Sequence, residues 1–143
     1  MSDFRKLSDT VFASPQIELT DIEAAKAMGV SLIVNNRPDG EEPSAPQGAE
    51  IEAAAAAAGV DYVAIPIGHS GFSEPQIDQM IAALGTAEGA SLAYCRSGTR
   101  STFLWALAQA KSSGTPDEIV EAAMAAGYDV GPIRPMLDML AAR

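Results

Sequence analysis

One cysteine and one histidine occur in 143 residues, and positive charge is scarce, with nine Lys+Arg against 19 Asp+Glu. A lone cysteine, Cys95, excludes an internal disulfide framework. Together with His69 it supplies too few soft ligands for an ordinary structural zinc site, so neither a metal nor an organic cofactor is expected. The formal charge of −10 repels polyanions, which argues against nucleic acid and anionic membranes as partners. Long apolar runs are missing too: Ala53 to Ala58 is short and lies between Glu52 and Gly59. The N-terminus leads into no apolar signal segment, so the expected compartment is the cytoplasm, where a reduced thiol persists.

What is present is core material. With 48% hydrophobic residues, a chain of this length is expected to form one domain over residues 1–143. Val11 to Ser14 reads as a short strand. Thr20 and Glu23 have capping-box spacing for a helix to about Met28, and Val30 to Val34 is a β-branched run that reads as a buried strand. Pro38, Gly40, Pro43 and Pro46 make residues 35–47 a loop. A helix from Glu50 stops at Gly59, and a strand begins at Tyr62 and runs to Ile65 or Ile67. Ser73 and Gln76 cap a helix through Leu84. Ser91 to Tyr94 is a strand, Ser101 to Ala110 a helix, Thr115 caps another to about Ala126, and Gly131-Pro132 opens a last one. Strands alternating with helices predict an α/β fold with a central, mostly parallel sheet flanked by helices.

The Ser91–Tyr94 strand runs directly into Cys95-Arg96-Ser97-Gly98-Thr99-Arg100-Ser101 and then a helix. This order places the thiol at a helix N-terminus, where free N–H groups and the dipole favour a thiolate and bound anions. Gly98 lets successive N–H groups converge on one point, Arg100 offers a bidentate fork to an oxyanion, and Ser101 or Thr102 offers a hydroxyl to the sulfur. Arg96, Ser97, Gly98 and Thr99 are therefore the expected anion-binding positions, with Cys95, Arg100 and Ser101 the catalytic ones. Two arginines beside a cysteine on an acidic chain suit a small anionic substrate better than an inert core thiol. Arg37 is expected to pair with Glu41 or Glu42, and Trp105 to belong to the core.

The Cys95–Ser101 segment resembles the active loop of rhodanese sulfurtransferases, in which Cys-Arg-x-Gly-x-Arg surrounds a persulfide. The Asn36-Arg37-Pro38-Asp39 turn with Glu41, the Tyr62–Ile67 strand and Leu104-Trp105-Ala106-Leu107 resemble the bacterial family DUF442, the phosphatase-like domain of β-lactamase hydrolase-like proteins. That resemblance covers nearly the whole chain. It implies the protein tyrosine phosphatase-like fold and a metallo-hydrolase as a partner.

Phosphatases of that fold carry Cys-x5-Arg, whereas Cys95 to Arg100 is Cys-x4-Arg. The shorter ring, and the lack of an aspartate in residues 68–73 to act as general acid, lead to a sulfurtransferase as the first expectation. Cys95 would take a sulfane sulfur from thiosulfate or a persulfide and pass it to a thiol. The alternative is a phosphatase acting on a phosphate ester through phosphocysteine, with His69 or Asp39 as the acid. Asp39, ahead of Gly40, also reads as a turn residue. A more distant alternative is a non-catalytic module that binds an anion or a protein.

Overall fold

The computed structural model describes residues 2–143. Its strands are β1 (Arg5–Ser8), β2 (Val11–Ser14), β3 (Val30–Asn35), β4 (Asp61–Ala64) and β5 (Ala90–Tyr94). They form one sheet in the order β1-β2-β5-β3-β4. All pairings are parallel except β1 with β2. The α/β architecture with a mostly parallel sheet is therefore as expected, apart from β1. That strand offers little periodic signal because only Leu7 of its four residues is buried.

Helices α1 (Asp21–Ala27) and α2 (Gly48–Ala58) cover one face. There Ile22, Ile51 and Ala55 pack with Ile33, Leu92 and Tyr94. Helices α3 (Glu74–Thr86), α4 (Thr99–Ser112), α5 (Pro116–Ala125) and α6 (Arg134–Ala141) cover the other. Here Met80, Leu104, Leu107 and Leu137 pack with Val34 and Ala93. Alternate residues of β5 thus serve opposite cores, the period-two signature of a strand buried on both sides. In β3 the pairing slips between Val30 and Leu32, and these two residues serve different cores.

Several local expectations are corrected. Thr20 has helical backbone angles and makes no capping bond. Asp21 serves there instead, its Oδ2 accepting from the Glu18 N–H at 2.7 Å. Thr115 sits at the N-cap of α5 but its side chain caps nothing. The Ser73–Gln76 box does form. β4 ends at Ala64, and Ile65 and Ile67 continue alongside, donating to the carbonyls of Asn35 and Asn36 at 2.9 Å each. Gly131–Ile133 forms a 3-10 turn before α6 rather than its first turn. Helix α4 is buried around most of its circumference, Trp105 included, because it lies centrally against the sheet with α3, α5 and α6 around it.

Candidate active site

The carboxyl ends of β2, β3 and β5 lie side by side, and the turns that leave them converge around Cys95. The Cys95 N–H donates to the Ser14 carbonyl at 3.3 Å, and the Gln16 N–H donates to the Arg96 carbonyl at 3.2 Å. The turn after β2 therefore holds the base of the cysteine loop. Gly98, at φ +93°, takes the left-handed conformation that begins α4 and turns its N–H onto Cys95 Sγ at 3.1 Å. Cys95 is 1% exposed, at the junction of β5 with the N-terminal end of α4.

Arg100 projects from the first turn of α4. Its Nη1 donates to Glu41 Oε2 at 2.7 Å and to the Ile67 carbonyl at 2.8 Å, while its Nη2 donates to Glu41 Oε1 at 2.8 Å. A guanidinium has five N–H donors in a fixed plane. These bonds occupy the end-on edge and the outer Nη1 hydrogen, which leaves Nε–H and one Nη2–H side by side on the remaining edge. Glu41 also accepts from Arg37 Nε at 2.9 Å, and Arg37 in turn donates to Gln16 Oε1 at 3.0 Å. The hydrogen bond from Arg100, and then that from Arg37, outweigh burial and hold the Glu41 carboxyl down at about 2. Arg100 is raised in return, first by its bond to Glu41 and then by the nearby Cys95 charge.

A cleft of about 450 Å³ opens here, lined by Arg37, Glu41, Glu42, His69, Arg96 and Arg100, with Gly68. Cys95 is not part of its lining; Arg100 joins the two. Arg96 and His69 are exposed. Ser97 and Thr99 are engaged with each other, the Ser97 hydroxyl donating to Thr99 Oγ1 at 2.9 Å and accepting from the Thr99 N–H at 3.3 Å. The Ser101 hydroxyl, expected on the sulfur, is instead fully buried with no hydrogen-bond partner among the described residues, Cys95 Sγ included. Thr102 spends its hydroxyl on the Gly98 carbonyl at 2.8 Å, which removes it as a donor to sulfur.

Asp39 is not brought to this cleft. Its Oδ1 accepts from the Gly48 N–H at 2.8 Å, tying the long loop to the start of α2. The expected pairing of Arg37 falls on Glu41 rather than Glu42. Two residues with site contacts were not singled out from the sequence. Glu41 appeared as a partner for Arg37 and in the turn that carries the family resemblance, without a role in the site, and Tyr128 carried no signal at all, being remote in sequence from the cysteine loop it touches through the Ser97 carbonyl. Among the described residues no group of His, Cys, Asp and Glu is arranged to hold a metal ion. Among the described residues no helix is long and apolar enough to cross a membrane.

Known proteins are similar to this chain in sequence and in fold. A β-lactamase hydrolase-like protein of Xylella fastidiosa is 38% identical over 104 residues, 72% of this chain but 24% of that protein. The chain thus spans about a quarter of the curated relatives it matches. The crystal structure of a candidate phosphatase from Neisseria meningitidis is 34% identical with a TM-score of 0.83, covering 95% of this chain and 96% of that one. Pseudomonas aeruginosa TpbA, solved as a Cys-to-Ser variant with phosphotyrosine, shares the fold at 15% identity, with a TM-score of 0.65 over 99% and 91% of the two chains. The sheet with its cysteine loop is a protein tyrosine phosphatase-like fold. Residues 3–112, which carry every strand and the whole cysteine loop, match the model of one family, and the chain belongs to it: the phosphatase-like domain of β-lactamase hydrolase-like proteins.

Proposed function

We propose that the chain is a cysteine-dependent phosphatase acting on a phosphate monoester. The observation that carries this reading is the Arg100 guanidinium beside Cys95, held in place by Glu41 and the Ile67 carbonyl with its Nε–H edge turned away from both. Two parallel N–H groups match two oxygens of one tetrahedral oxyanion, as a phosphoryl group presents them. The phosphatase-like fold and the three arginines in or beside the cleft support the same substrate class.

In the reaction, the Cys95 thiolate attacks phosphorus and the bond to the ester oxygen breaks. The leaving alcohol or phenol takes its proton from His69, the imidazole in the lining of the cleft. Glu41 and Glu42 are both held ionised by hydrogen bonds, from Arg100 and from Ser44 respectively, and are poor proton donors. Water then attacks the phosphocysteine and gives a proton back to His69, the S–P bond breaks, phosphate leaves and the thiolate is restored. Arg100 clamps the equatorial oxygens, Arg96 draws the anion in, and the Gly98 N–H steadies the departing thiolate. The scheme calls for no metal or organic cofactor.

A second reading, sulfur transfer, is favoured by one observation: the ring from Cys95 to Arg100 is Cys-x4-Arg. A thiolate also leaves without an acid, and no carboxylic acid stands free in the cleft. Protein incubated with an aryl phosphate or with thiosulfate, then quenched and weighed, separates the two. A phosphoryl group trapped on the Cys95 peptide with release of the phenol supports phosphatase chemistry. A single added sulfur without phenol release overturns it, and neither adduct would leave an anion-binding module. Cys95→Ser should give no adduct and no turnover, because a serine without an adjacent base is a weak nucleophile.

A further inference from the structure

The peptide that joins Ser97 to Gly98 is held from both sides. Its N–H donates to Cys95 Sγ at 3.1 Å, and its carbonyl accepts from the Tyr128 hydroxyl at 3.1 Å. A trans peptide is planar, with C=O and N–H pointing opposite ways, so a bond on the oxygen fixes where the hydrogen aims. Such an anchor matters at this position. Glycine accepts either sign of φ at little cost, so the plane between residues 97 and 98 is free to reverse unless something outside the loop restrains it. Reversed, it would present a carbonyl oxygen to the thiolate in place of a donor.

Tyr128 is well fixed for this task. It is buried, and the hydroxyl end of its ring lies against Gly98, where a Cβ would overlap it. The Arg5 guanidinium stands 5.2 Å over its ring and also donates to the Ala126 carbonyl at 3.4 Å. Gly127, at φ +93°, makes the turn that brings the tyrosine back toward the loop, and a Cβ there would strike Arg5. Burial holds the tyrosine above its ordinary pKa, and the Cys95 charge adds to this against the opposing charge of Arg5, so it remains a donor. Residue 128 lies beyond residue 112, where the family match ends.

We propose that Tyr128 is a positioning residue of the active site, acting through the Ser97–Gly98 peptide to keep the Gly98 N–H on the Cys95 thiolate. The proposal rests on Cys95 being the nucleophile, not on which group it transfers. Tyr128→Phe removes the hydroxyl and keeps the ring under Arg5. Alkylation of Cys95 by iodoacetamide across pH requires no substrate and reads the thiolate directly. The expected result is a profile displaced to higher pH, with the rate at neutral pH lowered about tenfold, the lower bound for one hydrogen bond to a charged group. The Gly98 amide resonance should shift, and the melting temperature should change little. A Phe variant that alkylates like the wild type, or leaves the Gly98 amide unmoved, overturns the proposal. Should that variant fail to fold, Arg5→Leu loosens the ring and should give the same displacement at smaller size, and an unchanged profile there is equally decisive. If wild-type Cys95 alkylates no faster than a free thiol, the nucleophile reading itself fails, a distinguishable outcome.

Discussion

Glu41 and Arg100 meet edge to edge: both carboxylate oxygens accept from the two terminal nitrogens of one guanidinium, at 2.7 and 2.8 Å, across 59 residues of chain. This pair links the long loop after β3 to the cysteine loop and fixes the plane of the Arg100 guanidinium beside Cys95.

Glu41→Gln tests the pair. The amide keeps the shape but loses the charge and one acceptor, so Arg100 gains freedom and kcat/KM should fall about tenfold, the scale of one charge-assisted hydrogen bond. The pH dependence has a definite sign. Glu41 sits at about 2 in the folded protein, below its ordinary 4.5, so its contribution to stability is complete above the ordinary carboxylate range and is lost as pH falls through about 2. Melting curves between neutral pH and pH 2 should show wild type losing its advantage over Glu41→Gln in that acid window. A constant gap at all pH values would remove the electrostatic account.

His69→Ala distinguishes a general acid from a bystander. With an alkyl or unactivated phenyl phosphate, whose oxygen needs a proton to leave, the rate should fall about a hundredfold. With a strongly activated aryl phosphate it should hardly change. Equal losses on both substrates would assign His69 to binding.

Loop length is probed by inserting a glycine between Gly98 and Thr99, which turns Cys-x4-Arg into Cys-x5-Arg. If the phosphoryl reading holds, the native ring already accepts a tetrahedral oxyanion, and vanadate inhibition should improve by no more than about threefold while Gly98 gains unwanted freedom. Should the native loop be built for a persulfide, the insertion should depress sulfur transfer from thiosulfate and raise phosphatase activity together. Steady-state assays of both activities on both proteins decide it.

Leu107→Ala addresses the scaffold. Leu107 is fully buried in α4, against the face of the sheet that also carries Val34 and Ala93. Removing its side chain should cost about 2–5 kcal/mol, read as a shift in denaturant midpoint at constant slope. A loss under about 1 kcal/mol would mean that the core under the cysteine loop collapses to fill the space.

Local signals in the sequence determined much of this molecule. Apolar β-branched runs and glycine stops located β3, β5 and α2 to within a residue or two, and the strand–cysteine–glycine–helix order placed Cys95 at the junction of β5 with α4, because each is settled by neighbours in the chain. Thr20 shows the limit: the capping spacing was present, but the backbone there turned helical and Asp21 took the role. Asp39 and Glu41 look alike on paper as two acids two residues apart in one loop. The fold sends the first to the Gly48 N–H and the second to Arg100. Tyr128, 31 residues from the carbonyl it holds, had no local mark at all. These choices fell to the tertiary structure because a side chain's role depends on which donor the packed helices and sheet bring within about 3 Å, and no periodicity along the chain encodes that distance.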